Sequence, residues 1–523
     1  MSHWVIAPIV LPAMMAGFIT LVLRYHPVLQ RVFSLAAVVV LLAITIGLTW
    51  QVSDGTVLLY QLGNWQAPFG IVLAVDRLSM LFATLAAALG VVVLLYAIGS
   101  GWDRRGRNFH ALFQFQMMGI MGAFLTGDAF NLFVFFEVLL IASYGLMIHS
   151  GGTARLRAGM QYVIYNLLGS TLFLLALATI YAETGTLNMA DLAGRVAAIP
   201  GDETALIRVA AVMLLMVFAV KAAVLPLHFW LPATYSEAPA PVAALFAVMT
   251  KIGAYAIIRF YTLVFPPDLG LTQGLFDSWL LPAALLTLTA GMIGVLGARR
   301  LDRMVAFAVI GSMGMMMTAV SVMTPAGIAA ALYYAIHSTL ASAALFLIVD
   351  VVRERRADNS LAFALAPPIA GSGLVAGLFF AAAIAITGLP PLSGFVGKLL
   401  ILDAAWSDPR AVWVWAVVLS LSLVAVIGFS RAGSLIFWKA RTHEAALGAR
   451  QLPDSGPAAP VLPMVAIGGC LTGLVALTIL AGPVQRYTTA TAAQLFAPDA
   501  YIATVLETPG RATTGAETQE GGH

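Results

Sequence analysis

Apolar stretches of about 20 residues recur from one end of the chain to the other, and a stretch of that length crosses a hydrocarbon core about 30 Å thick as a helix. They can be read at about 4–23, 29–50, 73–99, 109–126, 129–149, 160–182, 205–226, 238–264, 276–297, 303–323, 327–349, 371–402, 411–436 and 461–482. Composition agrees. Charged residues make up only 10% of the 523 and hydrophobic ones 61%, against about 25% charged in a typical globular chain, too few to cover a soluble surface. The expected fold is an all-α polytopic membrane protein of about fourteen transmembrane helices. The first stretch has no basic n-region and no clear cleavage site after it, so it reads as a retained helix.

Charge in the connections carries sidedness. Those after the odd-numbered stretches hold 16 arginines and lysines, those after the even-numbered ones with the termini hold 6. The bias places the odd connections in the cytoplasm and both termini outside. The long connections at 51–72 and 183–207, and the tail after Gly482, then fall on the outer side, and the tail from Thr508 reads as disordered or as a partner contact. The +3 net charge is dispersed through short loops without clustered aromatics, so the lipid bilayer is an expected partner and nucleic acid is not. Cys470 alone supports neither a disulfide framework nor a cysteine-held metal. No Gly-rich phosphate loop, HExxH, CxxC or Gly-x-Ser-x-Gly occurs. No cofactor or metal site is expected, and a nucleotide-driven pump or a soluble-type enzyme active site finds no support.

The rare intramembrane charges are the informative ones. Of 27 basic residues only four are lysine, and Lys221, Lys251 and Lys398 fall inside apolar stretches. Arginine keeps its proton throughout, whereas a desolvated lysine can lose it. Glu137 stands in FNLFVFFEVLLIASYG, nine residues beyond Asp128, or about 13–14 Å at 1.5 Å per residue. Asp128 itself reads as the helix N-cap. Four such groups oppose insertion by roughly 10–14 kcal/mol together, so they are functional candidates. A fixed Glu137–lysine ion pair that merely orders the bundle leaves the other two lysines unexplained. His337 suits a proton relay between lysines, the competing reading being a core histidine satisfied by a nearby hydroxyl. His228, between Pro226 and Pro232, is a candidate for a proton entrance or for a plain helix end. Arg259 is expected to snorkel to an interface, and Arg431 is open to a partner within the bundle.

Two stretches look interrupted: GLPPLSG at 388–394 precedes Lys398, and LPLHFWLP at 225–232 follows Lys221. Proline removes a backbone donor, and irregular backbone at depth is tolerated only against protein or a hydrated cavity. Helices 4–8 and 9–13 each have their break at the fourth helix, and an odd number of crossings forces the second unit to be inverted. Two inverted five-helix repeats with broken helices are therefore expected. They divide the chain into 1–108, 109–264, 265–436 and 437–523.

FNLFVFFEVLLIASYG, VKAAVLPLHFWLPATYSEAPAPVAALFAVMTKIGAY and ITGLPPLSGFVGK resemble the antiporter-like subunits shared by respiratory complex I, membrane-bound hydrogenases and Mrp cation/proton antiporters. The resemblance spans nearly the whole chain and is nearest to the Mrp branch. It implies that Glu137 and Lys221 form a fifth/seventh-helix pair, that Lys251 is a central eighth-helix lysine, that His337 links the halves on a broken eleventh helix, and that Lys398 is the twelfth-helix lysine. It also implies partner subunits in a hetero-oligomeric antiporter that exchanges protons for Na+ or K+. A redox-driven proton pump of the complex I or hydrogenase type uses the same residues and is the alternative.

Overall fold

A helix lets an apolar segment close its own backbone hydrogen bonds inside lipid, and each of the fourteen stretches is helical in the computed structural model, which describes residues 3–200, 204–356, 361–364, 369, 371–439 and 461–510. The chain opens with α1 (Ala7–Leu21), α2 (Pro27–Gln51) and α3 (Arg77–Ser100). Next come α4 (Phe109–Leu125), α5 (Ala129–Met147), α6 (Thr153–Thr184), the short surface helix α7 (Met189–Ala197), the two halves α8 (Ala205–Lys221) and α9 (Trp230–Glu237), and α10 (Ala240–Leu263). Then follow α11 (Leu281–Gly297), α12 (Leu301–Ser321), α13 (Pro325–Arg355), the half-helices α14 (Ser372–Thr387) and α15 (Ser393–Ala404), α16 (Ala411–Gly433) and α17 (Val461–Ile479). Among the described residues, ten helices are long and apolar enough to cross a membrane unaided.

Local chemistry sets the helix starts. The Asp128 carboxylate accepts from the Asn131 amide at 2.7 Å, the N-cap expected for α5. Asp76 and Ser79 form a reciprocal capping box on α3.

The connections gather alternately at opposite ends of the bundle. Arg155, after the fifth crossing, donates to the Glu237 carbonyl ahead of the eighth at 2.8 Å. Arg353, after the eleventh, reaches Asp302 at 3.3 Å. Arg431, at the close of the thirteenth, donates to the Ala298 carbonyl that ends α11 at 2.7 Å, so it does find a partner within the bundle. At the other end, the Gly127 amide donates to Val72 at 2.9 Å, and Arg410 donates to the Asp277 carbonyl at 2.6 Å. Arg441, Arg450 and Arg511, which contribute to the charge bias of the sequence, lie outside the described residues.

Burial grades from centre to rim. Every residue of α10 is buried, and α12 and α13 are nearly so, whereas α2, α16 and α17 turn most of their surface outward. Lys251 and His337 therefore sit on the enclosed helices.

Two elements add to the bundle, and two expectations need correction. The all-α bundle also carries a short hairpin, in which Leu58–Gln61 (β1) pairs antiparallel with Val72–Val75 (β2), Leu58 opposite Val75. Ahead of the stretch from Thr508, the segment after Gly482 folds into α18 (Ala481–Leu495) and α19 (Asp499–Glu507), and the Thr508 carbonyl accepts from Gln61 at 2.9 Å. Residues 511–523 lie outside the described residues. The eleventh crossing is not broken: α13 runs continuously past His337, because no glycine or proline follows Gly327 within it.

Arg259, finally, does not snorkel. It is 4% exposed on a helix enclosed on every side, and it forms a bidentate pair with Asp76 at 2.7 and 2.8 Å, with the Tyr501 ring of α19 at 5.2 Å. Breaking a buried pair by removing one partner costs about 3–5 kcal/mol. Arg259→Ala should accordingly lower the melting temperature of the solubilised protein markedly, and an unchanged Tm would mean that Asp76 is satisfied without it.

Candidate functional site

Glu137, half-buried on α5, and Lys221, the last residue of α8, are expected from the sequence to pair. They do not touch. Among the described residues no ion pair joins them, and α6 supplies each with a neutral partner. Ser170 donates a short hydrogen bond to the Glu137 carboxylate, and the Lys221 ammonium donates to Asn166 Oδ1 at 3.0 Å. Asn166 and Ser170 are four residues apart, hence on one face of α6. Asn166 Nδ2 donates to the Tyr162 carbonyl at 2.8 Å, which presents Oδ1 to the lysine. The two charges are thus held by adjacent dipoles instead of by one another.

Lys221 closes α8, where the helix stops five residues before Pro226, the first proline of LPLHFWLP. The carbonyls freed there have partners: Trp230 Nε1 donates across the gap to Val220 at 3.0 Å. The Leu225 amide in turn donates to Thr287 of α11 at 2.8 Å. A Cβ on Gly253 would run into the Phe218 carbonyl and the Ala222 amide, so glycine here lets α10 lie against the break, two residues from Lys251. Between Phe136, Tyr162, Asn166, Lys221, Trp230 and Met249 lies a cavity of about 10 Å³, about enough for one water.

Lys251 is fully buried on α10, and its Nζ has no hydrogen-bond partner among the described residues. Thr250 Oγ1 and Gln116 Oε1 are likewise unpartnered. Buried polar groups are nearly always satisfied, so these three stand out as exceptions among the described residues.

His337 on α13 shares a 2.9 Å hydrogen bond through Nδ1 with the hydroxyl of Ser393, the first residue of α15, while Nε2 has no partner among the described residues. A Cβ on Gly394 would lie 2.9 Å from the imidazole Nε2, so glycine brings the second break against the ring. Lys398 of α15 donates back across that break to the Thr387 carbonyl at 2.6 Å and to Ser422 of α16 at 2.8 Å. Lys221 and Lys398 therefore share one electrostatic setting, the carbonyl end of a half-helix, where the macrodipole favours positive charge. Lys251 between them has no such support.

His228 lies in the first break, nearly buried, with Nδ1 unpartnered and its ring 4.5 Å from Phe229. It forms no hydrogen bond to the other five candidates. Asn166, Ser170, Ser393 and Ser422 are partners that sequence reasoning does not single out. Ser393 stands within the GLPPLSG motif, and the i, i+4 spacing of Asn166 and Ser170 in an otherwise apolar stretch is the available signal.

The family described as NADH:quinone oxidoreductase/Mrp antiporter, TM, matches residues 126–426, a region that includes all five residues of the array and His228. A protein of Rhizobium meliloti, named as the probable D component of a K(+)/H(+) antiporter, is 36% identical over 97% of this chain and 98% of its own length. The D component of the Na(+)/H(+) antiporter of Alkalihalophilus pseudofirmus is 37% identical over 97% of this chain and 100% of its own. Among solved structures, one chain of the Mrp complex from Dietzia superposes with a TM-score of 0.83 at 28% identity, covering 97% of this chain and 100% of that one.

Proposed function

The chain belongs to the NADH:quinone oxidoreductase/Mrp antiporter transmembrane family, and from that premise we propose that it is the D-type, proton-translocating component of a multisubunit monovalent cation/proton antiporter. The carrying observation is Lys251, an ammonium enclosed on every side with no acceptor among the described residues, placed in the chain between two lysines that each have one. A proton that charges Lys251 must be passed on, because nothing nearby stabilises it. Lys221 and Glu137 on one side, and His337 with Lys398 on the other, form a row that can hand a proton along with water between members. A change in the Glu137–Lys221 arrangement alters the field at Lys251 and hence its hold on a proton. Coupling requires at least two states of this array, and each charge crossing the membrane is worth about 2.3 kcal/mol per 100 mV, enough for proton influx to drive cation efflux.

The relatives carry both Na(+)/H(+) and K(+)/H(+) in their names, so the proposal is for Na+ or K+. Other subunits of a hetero-oligomeric complex complete it, in a bacterial inner membrane with both termini outward. Two inverted five-helix units, helices 4–8 and 9–13, are supported by matching contacts: α6 packs on both halves of its broken neighbour, and α13 on both halves of its own. His228 is proposed as part of a proton entrance at the first break.

The second reading, a redox-driven proton pump, rests on the family's inclusion of NADH:quinone oxidoreductase subunits. Purifying the native assembly separates them. Several small membrane proteins and Na+- or K+-dependent dissipation of a proton gradient in everted vesicles are expected, while co-purifying peripheral iron–sulfur subunits would replace the antiporter reading.

A further inference from the structure

The connections after the third, fifth and eleventh crossings meet around a cavity of about 360 Å³, lined by Trp102, Arg105, Arg155, Asp350 and Arg353 among others. In its wall stands Asp350 of α13, fully buried. One carboxylate oxygen accepts from the Trp102 indole at 2.7 Å and the Tyr96 hydroxyl at 3.0 Å. The other has no partner among the described residues. None of the surrounding guanidinium groups pairs with it. Arg105 is taken by Glu354 at 2.8 Å, Arg353 by Asp302 at 3.3 Å, and Arg155 by the Glu237 carbonyl. Asp350 and Arg353 also border a second cavity of about 10 Å³ that reaches Tyr235 of α9, Ala243 of α10, Asp302 of α12 and Phe346 of α13, about one water in size.

We propose that Asp350 is a proton-loading residue, taking a proton from hydronium in the large cavity onto its free oxygen and releasing it to water in the small one, toward the lysine–histidine array. This rests on the proton-transport reading above. Anchoring α13 to Trp102 and Tyr96 needs only one oxygen, and leaving the second buried and unpaired is costly unless it has another use. A metal cation is not the ligand. Such ions require several oxygens, and here one is free. A proton requires a single lone pair. Asp350 is 13 residues from His337 on the same helix, about 20 Å, so intervening water is needed, and the unpartnered Ser342 hydroxyl lies between them in the chain.

The test uses the assembled complex in vesicles. Asp350→Asn keeps the acceptor for Trp102 and Tyr96 but cannot carry a proton. It should cut proton flux supplied from the arginine-rich side by about 10²-fold, the scale of a lost acid–base group, and Asp350→Glu should restore much of it. A protonated-carboxyl infrared band absent from Asp350→Asn should titrate with the pH on that side. Parental flux in Asp350→Asn, equal inactivity of both variants in intact complexes, or an Asp350 band indifferent to pH would each overturn the proposal. A titrating band in a complex that exchanges no cation for protons would leave Asp350 loading intact and remove the antiporter reading instead.

Discussion

Lys251→Met should abolish proton-coupled transport, a loss of about 10²-fold or more, while leaving the protein at least as stable as the parent. The two effects have opposite origins. Methionine fills the volume of the lysine side chain, and the ammonium it removes has no acceptor among the described residues. A lysine at a helix centre opposes insertion by about 2.5–3.5 kcal/mol, and exchanging unpaired buried charge for apolar volume is neutral or stabilising. A structural lysine would behave in the reverse way, its loss lowering Tm and sparing flux. Lys251→Arg retains the charge but cannot release the proton, so it too should fold and fail to transport. Antiport by either variant at the parental rate in everted vesicles would remove Lys251 from the relay.

Glu137→Gln is the second large effect, again about 10²-fold in transport with assembly unchanged. The glutamine oxygen still accepts from Ser170, so the α5–α6 contact survives and only the negative charge is lost. Because Glu137 and Lys221 each already have a neutral partner on α6, no ion pair is broken and no stability need be lost on that account. Near-parental exchange by Glu137→Gln would assign the carboxylate to packing. Removing the other half of the arrangement, by Asn166→Leu, should instead cost stability, since it deprives a buried ammonium of its acceptor.

The positions of the crossings are legible in the sequence because hydropathy over about 20 residues reports a property of the whole segment. The lysines and Glu137 are legible because ionisable groups are so rare in those segments. Their partners are not. Asn166 and Ser170 are ordinary polar residues that only the approach of α5 and α8 to α6 turns into ligands for charge, and a direct pairing of Glu137 with Lys221 is the natural expectation because nothing in the chain shows what lies between them. Arg259 misleads for a related reason. Its partner Asp76 is 183 residues away and has an obvious local task as a helix cap, which it performs as well. The helices of the tail escape notice because a surface helix has only one apolar face, and its average composition reads as polar. The strands of the hairpin, four residues each, are too short for alternation to register.

That hairpin and the tail are tied to one another. Gln61 of β1 donates to Thr508, Arg77 to Ala490 at 3.2 Å, and Gln494 of α18 to Gly55 at 2.9 Å, across a separation of 447 residues in the first case. The consequence is one of timing during synthesis. Chains are made from the N-terminus onward, so the hairpin emerges early and waits with its partners missing until residues 490–508 are translated. The Asp76–Arg259 pair, beneath Tyr501, gains its cover only then. A nascent chain can thus insert its helices one after another, but this end of the bundle is sealed only once residues 490–508 have been made.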